Sequence, residues 1–168
     1  MWSITQGVTV NSAYSSVPFT RAARRAPPAA IAPDEKIPAE AAKIHAPRVL
    51  VVDDEALVRW SLTETFAKAG YKVTEAGTSR AAREALRDSS QRIGAIVLDL
   101  KLPDGQGLDV LEEARLANQF CPVIVITAYG SSESVDRALT LGAVAIIAKP
   151  FDLDQLLDVV KRVCPLPG

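Results

Sequence analysis

Four uninterrupted apolar runs punctuate the chain: Val49-Leu50-Val51-Val52, Ala95-Ile96-Val97-Leu98, Val123-Ile124-Val125-Ile126 and Val144-Ala145-Ile146-Ile147-Ala148. Apolarity that is continuous rather than alternating means that both faces of a strand are covered, as in a parallel sheet between helix layers. Tyr71–Ala76 alternates and predicts an edge strand. Amphipathic stretches lie between and after the strands. Val58, Leu62 and Phe66 share one face of the first, which stops at Gly70. Ala82, Ala85 and Leu86 mark the second, and Leu108, Leu111 and Ala114 the third. Val135, Ala138 and Leu139 mark the fourth, stopping at Gly142; Leu153, Leu156, Leu157 and Val160 mark the last, ending before Pro165. This strand–helix alternation predicts a doubly wound α/β domain.

Before Arg48 the pattern breaks down. Pro18, Pro27, Pro28, Pro33, Pro38 and Pro47 interrupt any regular element, and no periodicity is sustained. The expected organisation is a flexible, disordered Pro/Ala-rich arm over 1–47, with a short helical stretch near Pro38–Ile44. A single domain follows over 48–164, then a tail over 165–168.

Composition narrows the function classes. The chain has 168 residues, 48% of them apolar, enough for a real core, and a formal net charge of −1. Residues 1–47 carry five basic and three acidic side chains (+2), leaving fourteen basic and seventeen acidic for 48–168 (−3). A mildly acidic body predicts no nucleic-acid-binding face. No apolar run approaches the roughly 18–20 residues that span a bilayer, so no membrane association is expected. Residues 1–33 lack acids and faintly resemble a transit peptide, but a disordered tail suits them better. Cys121 and Cys164 form no C-x-x-C pair and read as reduced thiols of a cytoplasmic protein. His45, the only histidine, reads as a solvated linker residue.

In such a sheet, ligands bind beyond the carboxyl ends of the strands. The first strand ends in Asp53-Asp54-Glu55, the third in Asp99, the fourth in Thr127-Ala128 and the fifth in Lys149-Pro150. Each has an ordinary structural explanation. Asp54 suits a helix N-cap and Glu55 the helix dipole; for Glu55 that explanation is the better one. Thr127 suits a strand, and Lys149-Pro150 a solvated charge before a helix-start proline. Chance accounts poorly for all of them at once. Clustered, Asp53, Asp54 and Asp99 would repel one another and raise their pKa values unless a cation intervened. Oxygen-only ligands of this kind suit Mg²⁺. Lys149 and Thr127 would then face an incoming anion. A carboxylate nucleophile, a metal and a Lys/Thr pair are the parts of phosphoryl transfer, where catalysis is mostly positioning and charge neutralisation.

These motifs carry a specific resemblance. Val51-Val52-Asp53-Asp54-Glu55, Leu98-Asp99-Leu100-Lys101-Leu102-Pro103-Asp104 with Gly107, Thr127-Ala128-Tyr129-Gly130 and Ala148-Lys149-Pro150-Phe151 resemble the receiver domains of two-component response regulators. The likeness covers about Arg48 to Val163, and Thr127–Ala143 looks closest to the NtrC-like class. It implies a five-stranded parallel sheet in the flavodoxin-like order 2-1-3-4-5, with helices on both faces. It implies that Asp99 accepts a phosphoryl group from a histidine kinase or histidine phosphotransfer protein. Asp54 would ligate Mg²⁺ directly, Asp53 would assist through water, and the Lys101 carbonyl would complete the protein ligands. Thr127 and Lys149 would grip the phosphoryl oxygens, and small Ala128 would leave room for the group to enter.

One position departs from the family pattern: three residues before the lysine, where a Tyr or Phe usually swings inward, stands Ile146. It reads as a packed strand residue, so activation is expected to run through the Thr127–Ser131 loop and the following helix. Lys101 and Tyr129 stand where family members control water access, which predicts slow self-hydrolysis. The output is expected to be partner binding, or homodimerisation, through the fourth helix, fifth strand and fifth helix. The alternative is the receiver part of a longer transcriptional regulator. A phosphohydrolase of the aspartyl-phosphate type would want an Asp where Lys101 stands. A flavin-binding module would want a hydroxyl-rich phosphate loop where Asp53-Asp54-Glu55 stands. The chain is thus expected not to be an enzyme, beyond catalysing its own phosphorylation and dephosphorylation.

Overall fold

The computed structural model describes residues 2–5, 8–11, 46–116, 121–128 and 132–167. Five parallel strands form the body of the sheet: β3 (Arg48–Val52), β4 (Lys72–Ala76), β5 (Ile93–Asp99), β8 (Val123–Thr127) and β9 (Ala145–Ala148). They lie in the order β4-β3-β5-β8-β9, which is the expected 2-1-3-4-5 order. Val49–Val52, Ala95–Leu98 and Val123–Ile126 are fully buried, as continuous apolar runs require.

Helices α1 (Ala56–Lys68) and α5 (Leu153–Val163) cover one face, packing Leu62, Phe66, Leu156 and Val160 against Val49, Val51, Ile124 and Ile147. Helices α2 (Ser79–Arg87), α3 (Gly107–Leu116) and α4 (Ser132–Thr140) cover the other, with Ala82, Leu86, Leu108, Leu111, Ala114 and Ala138 packed around Leu50, Ile96 and Leu98. Each such fully buried aliphatic side chain contributes about 1.5–3 kcal/mol. The predicted stops hold: α1 is followed by Gly70 at φ 99° and α4 by Gly142 at φ 89°, conformations in which any Cβ is strained.

The N-terminus departs from expectation. Strands β1 (Trp2–Thr5) and β2 (Val8–Asn11) form an antiparallel hairpin, and β2 pairs antiparallel with β9, extending the sheet to seven strands. The signal was present but short: Trp-Ser-Ile-Thr and Val-Thr-Val-Asn alternate apolar and polar residues around Gln6-Gly7. Four residues on each side are too few to stand out beside a proline-dense stretch. The expected helical stretch near Pro38–Ile44, His45 and the rest of 12–45 lie outside the described residues.

A second small hairpin, β6 (Lys101–Leu102) with β7 (Gly105–Gln106), carries the chain from the end of β5 into α3. The Gly107 N–H donates to the Leu100 carbonyl at 2.9 Å. A Cβ on Gly107 would run into the Asp99 carbonyl, so this close return requires glycine. Asp104, at the tip, caps α2 from outside the helix: its carboxylate accepts from the N–H groups of Ser79 (2.7 Å) and Arg80 (2.9 Å). Those bonds, Arg80's first, hold the Asp104 carboxyl below the ordinary aspartate range. A depressed carboxyl contributes stability that is present above the ordinary aspartate pKa and lost as pH falls through the depressed one. Asp104→Asn is therefore expected to be less stable than the parent at neutral pH. Urea titrations at a series of pH values should show that difference closing below about pH 4; a constant difference would rule the cap out as the cause.

Candidate functional site

The parallel register brings the strand ends together. Val52 sits level with Leu98, Asp99 with Ile126, and Thr127 with Ala148. Asp53, Asp99, Thr127 and Lys149 therefore emerge on one edge of the sheet, on adjacent strands. The backbone fixes the last pair tightly: Lys149 N–H donates to the Thr127 carbonyl at 2.8 Å, and the Lys149–Pro150 peptide is cis.

Lys149 is the hub of the cluster. Its Nζ lies 2.7 Å from Asp99 Oδ2, 2.8 Å from Asp53 Oδ2 and 3.1 Å from Glu55 Oε1. Asp53 is fully buried, and Asp99 and Thr127 nearly so, whereas Asp54 is exposed. Burial pushes the Asp53 carboxyl above its ordinary pKa, with Lys149 pulling the other way. Burial alone would depress the Lys149 amine. The carboxylates, Asp53 first, outweigh it and hold the amine above the ordinary lysine value. Lys149 is thus a fixed cation held by three carboxylates.

Oxygens of Asp53, Asp54 and Asp99 all lie within 4.8 Å of one another. A hard, all-oxygen donor set with one buried carboxylate of raised pKa is electrostatically incomplete by its own charge, and it fits a small divalent cation such as Mg²⁺. The two inner carboxylates are also held in place by the backbone. Asp53 Oδ1 accepts from Glu55 N–H at 2.8 Å, and Asp99 Oδ1 accepts from Lys101 N–H at 2.9 Å. Each fixes one carboxylate oxygen and leaves the other on Lys149.

Most of the predicted site residues are brought together here. Ala128 is exposed and lines a groove of about 680 Å³ beside Lys149, with Leu57, Val58, Ser61 and Phe151. Lys101 is exposed on β6 at the mouth of a second recess shared with Thr127. Ile146 is buried in the α2–α4 layer, packed in one cluster with Ala138 and Ala143. Tyr129 and Ser131 lie outside the described residues.

Two features went unread in the sequence. Glu55, assigned to the helix dipole, occupies the N-cap position of α1 without any side-chain cap bond, because its carboxylate turns to Lys149 instead. Arg59 clamps the acidic loop from one helical turn away. Its Nη1 donates to the carbonyls of Asp53 (2.7 Å) and Asp54 (2.9 Å), while its Nε faces Glu75 at 3.7 Å. A cation four residues beyond an acidic cluster, on the helix that the cluster starts, was the available signal.

Comparison with known proteins agrees with this geometry. Residues 49–161 match the response regulator receiver domain. The chain is 34% identical over 119 residues to sporulation initiation phosphotransferase F of Bacillus subtilis, covering 71% of this chain and 94% of that protein. It is 36% identical to the regulatory protein AtoC of Escherichia coli, covering 71% of this chain but 25% of the relative. Among solved structures, a CheY-like receiver domain from Methanospirillum hungatei superposes with a TM-score of 0.66 at 30% identity, over 69% of this chain and 91% of that one. NtrC-like regulators, AtoC and PilR of Pseudomonas aeruginosa, are among its relatives. The chain belongs to the response regulator receiver domain family, the phosphoryl-accepting modules of two-component signalling.

Proposed function

We propose that Asp99 is the phosphoryl acceptor and that Asp53, Asp54, Thr127 and Lys149 form the machinery around it. The observation that carries this reading is the 2.7 Å contact between the Lys149 amine and Asp99 Oδ2, inside the cluster that also holds Asp53 and Asp54. An Asp99 carboxylate oxygen attacks the phosphorus of a phosphohistidine, the P–O bond forms as the P–N bond breaks, and the imidazole leaves. Lys149 then trades carboxylate oxygens for a phosphoryl oxygen, and the Thr127 hydroxyl donates to another. Asp53, Asp54, Asp99 and the Lys101 carbonyl would hold Mg²⁺, which neutralises charge on the transferred group. The chain thereby catalyses its own phosphorylation and dephosphorylation.

The donor is a histidine kinase or histidine phosphotransfer protein. The groove along α1, lined by Leu57 (80% exposed), offers it apolar contact beside the site, and Trp60 (62% exposed) lies on the same helix. Two free cysteines are in keeping with a cytoplasmic location. Among the described residues no helix is long and apolar enough to cross a membrane. Because the chain spans only a quarter of AtoC, a transcriptional output is a second reading, in which this module serves a longer regulator.

Incubation with acetyl phosphate and Mg²⁺, followed by intact mass, is expected to add one phosphoryl group. Asp99→Asn and chelation of the metal should each abolish it; an unchanged adduct on Asp99→Asn would sink the assignment.

Lys101 and Tyr129 are proposed to shield the acyl phosphate from water. Lys101→Ala and Tyr129→Ala should lose the label severalfold faster than the parent in a decay series. Equal lifetimes would show that neither guards it.

With Ile146 packed where an aromatic switch would swing, the signal is proposed to leave through the Thr127–Ser131 loop and α4. Amide NMR spectra with and without beryllofluoride should differ across residues 130–150, and superimposable spectra would end that proposal.

A further inference from the structure

β9 carries the lysine of the site directly after its last residue, and in a five-stranded sheet it would be an open edge. Its backbone groups on one side pair with β8. Those on the other pair with the N-terminal hairpin: Val8 lies opposite Ile147, Thr9 opposite Ile146 and Val10 opposite Ala145. An exposed apolar strand edge invites pairing with another chain. Here a segment of the same chain occupies it, tethered through residues 12–47, so closure is intramolecular and favoured by effective concentration.

The occupied edge is the one nearest the chemistry. β9 runs between the layer that holds α4 and the layer that holds α5, the face expected from the sequence to bind partners. The β8–β9 ladder continues to the Lys149 N–H, so a shift of that residue is felt along β9. Lys149 must exchange Asp53 and Glu55 for a phosphoryl oxygen when Asp99 is modified. On the side facing α4, Ala138 is the buried residue among the described side chains of that helix, with Val135 and Leu139 partly buried beside it. Three register pairs hold β2 on β9, a small contact that a modest shift of β9 can outweigh.

We propose that the N-terminal hairpin is a built-in occupant of the output face, seated on β9 in the unphosphorylated chain and released when Asp99 carries a phosphoryl group. The second half of that statement rests on Asp99 being the acceptor.

Hydrogen exchange on the full chain tests it, with Mg²⁺ present and beryllofluoride added or omitted. Amides of Val8–Asn11 should be protected without beryllofluoride and exchange roughly tenfold faster, or more, with it. In Val8→Pro/Thr9→Pro the amides that remain in that span, those of Val10 and Asn11, should exchange fast in both states. Neighbouring strand residues direct their N–H groups to opposite sides, so one of the two prolines removes a bond to β9 whichever way the hairpin faces. Unprotected amides in the parent without beryllofluoride, or protection that beryllofluoride leaves unchanged, would overturn the proposal. Intact mass after acetyl phosphate treatment separates the two readings. A chain that gains the phosphoryl group and keeps its hairpin protected defeats the occupant alone, whereas a chain that never gains it defeats the acceptor assignment.

Discussion

The ammonium of Lys149, set among the carboxylates of Asp53, Asp99 and Glu55, is the interaction on which the rest of the site depends. Three acids converging at one end of a sheet repel one another, and one of them is fully buried. A single cation, reaching in from the end of β9 across β8, makes that convergence tolerable. It also leaves the acids only partly compensated, because one ammonium faces three carboxylates and Asp54 adds a fourth nearby. That residual negative charge suits the cluster to a divalent cation.

Backbone geometry supports the arrangement at each acid. Asp53 and Asp99 each give one oxygen to an amide two residues on, which leaves the second oxygen aimed at Lys149. Arg59 ties down the carbonyls of the acidic loop, and Gly107 lets the chain fold back against the Asp99 carbonyl before entering α3. Asp104 joins the tip of that excursion to the start of α2. Carboxylates held this way have little freedom left to lose when a group is brought to them, which is how positioning contributes to catalysis.

The hairpin changes how the sheet edge is understood. In the five-stranded arrangement, β9 ends the sheet and its outer face is free for partners. With β2 paired to it, the strand that leads into Lys149 is also the strand that holds the N-terminal hairpin. The site follows the end of a four-residue strand whose outer edge carries β2.

Much of this was legible along the chain. Continuous apolar runs require burial on both faces, and this dictates a parallel sheet between helix layers; the strand ends then follow from where each run stops. Asp53, Asp54, Asp99, Thr127 and Lys149, which the sheet brings to one edge, stand out that way, because type and position at a strand end are properties of the sequence. What depends on side-chain direction was not legible. Glu55 looked like a helix-start acid because its neighbours in sequence make it one, and only the crossing of β9 beside β8 brings Lys149 within its reach. Arg59 reaches the carbonyls of the acidic loop only because α1 folds back over β3. The hairpin lay beyond reach for a different reason: four alternating residues form a strand only if an edge is available to pair with, and β9 is 134 residues away from Asn11 in sequence (145 − 11). Local pattern determined the elements and the chemistry at their ends; long-range pairing decided which charges meet and what covers the open edge.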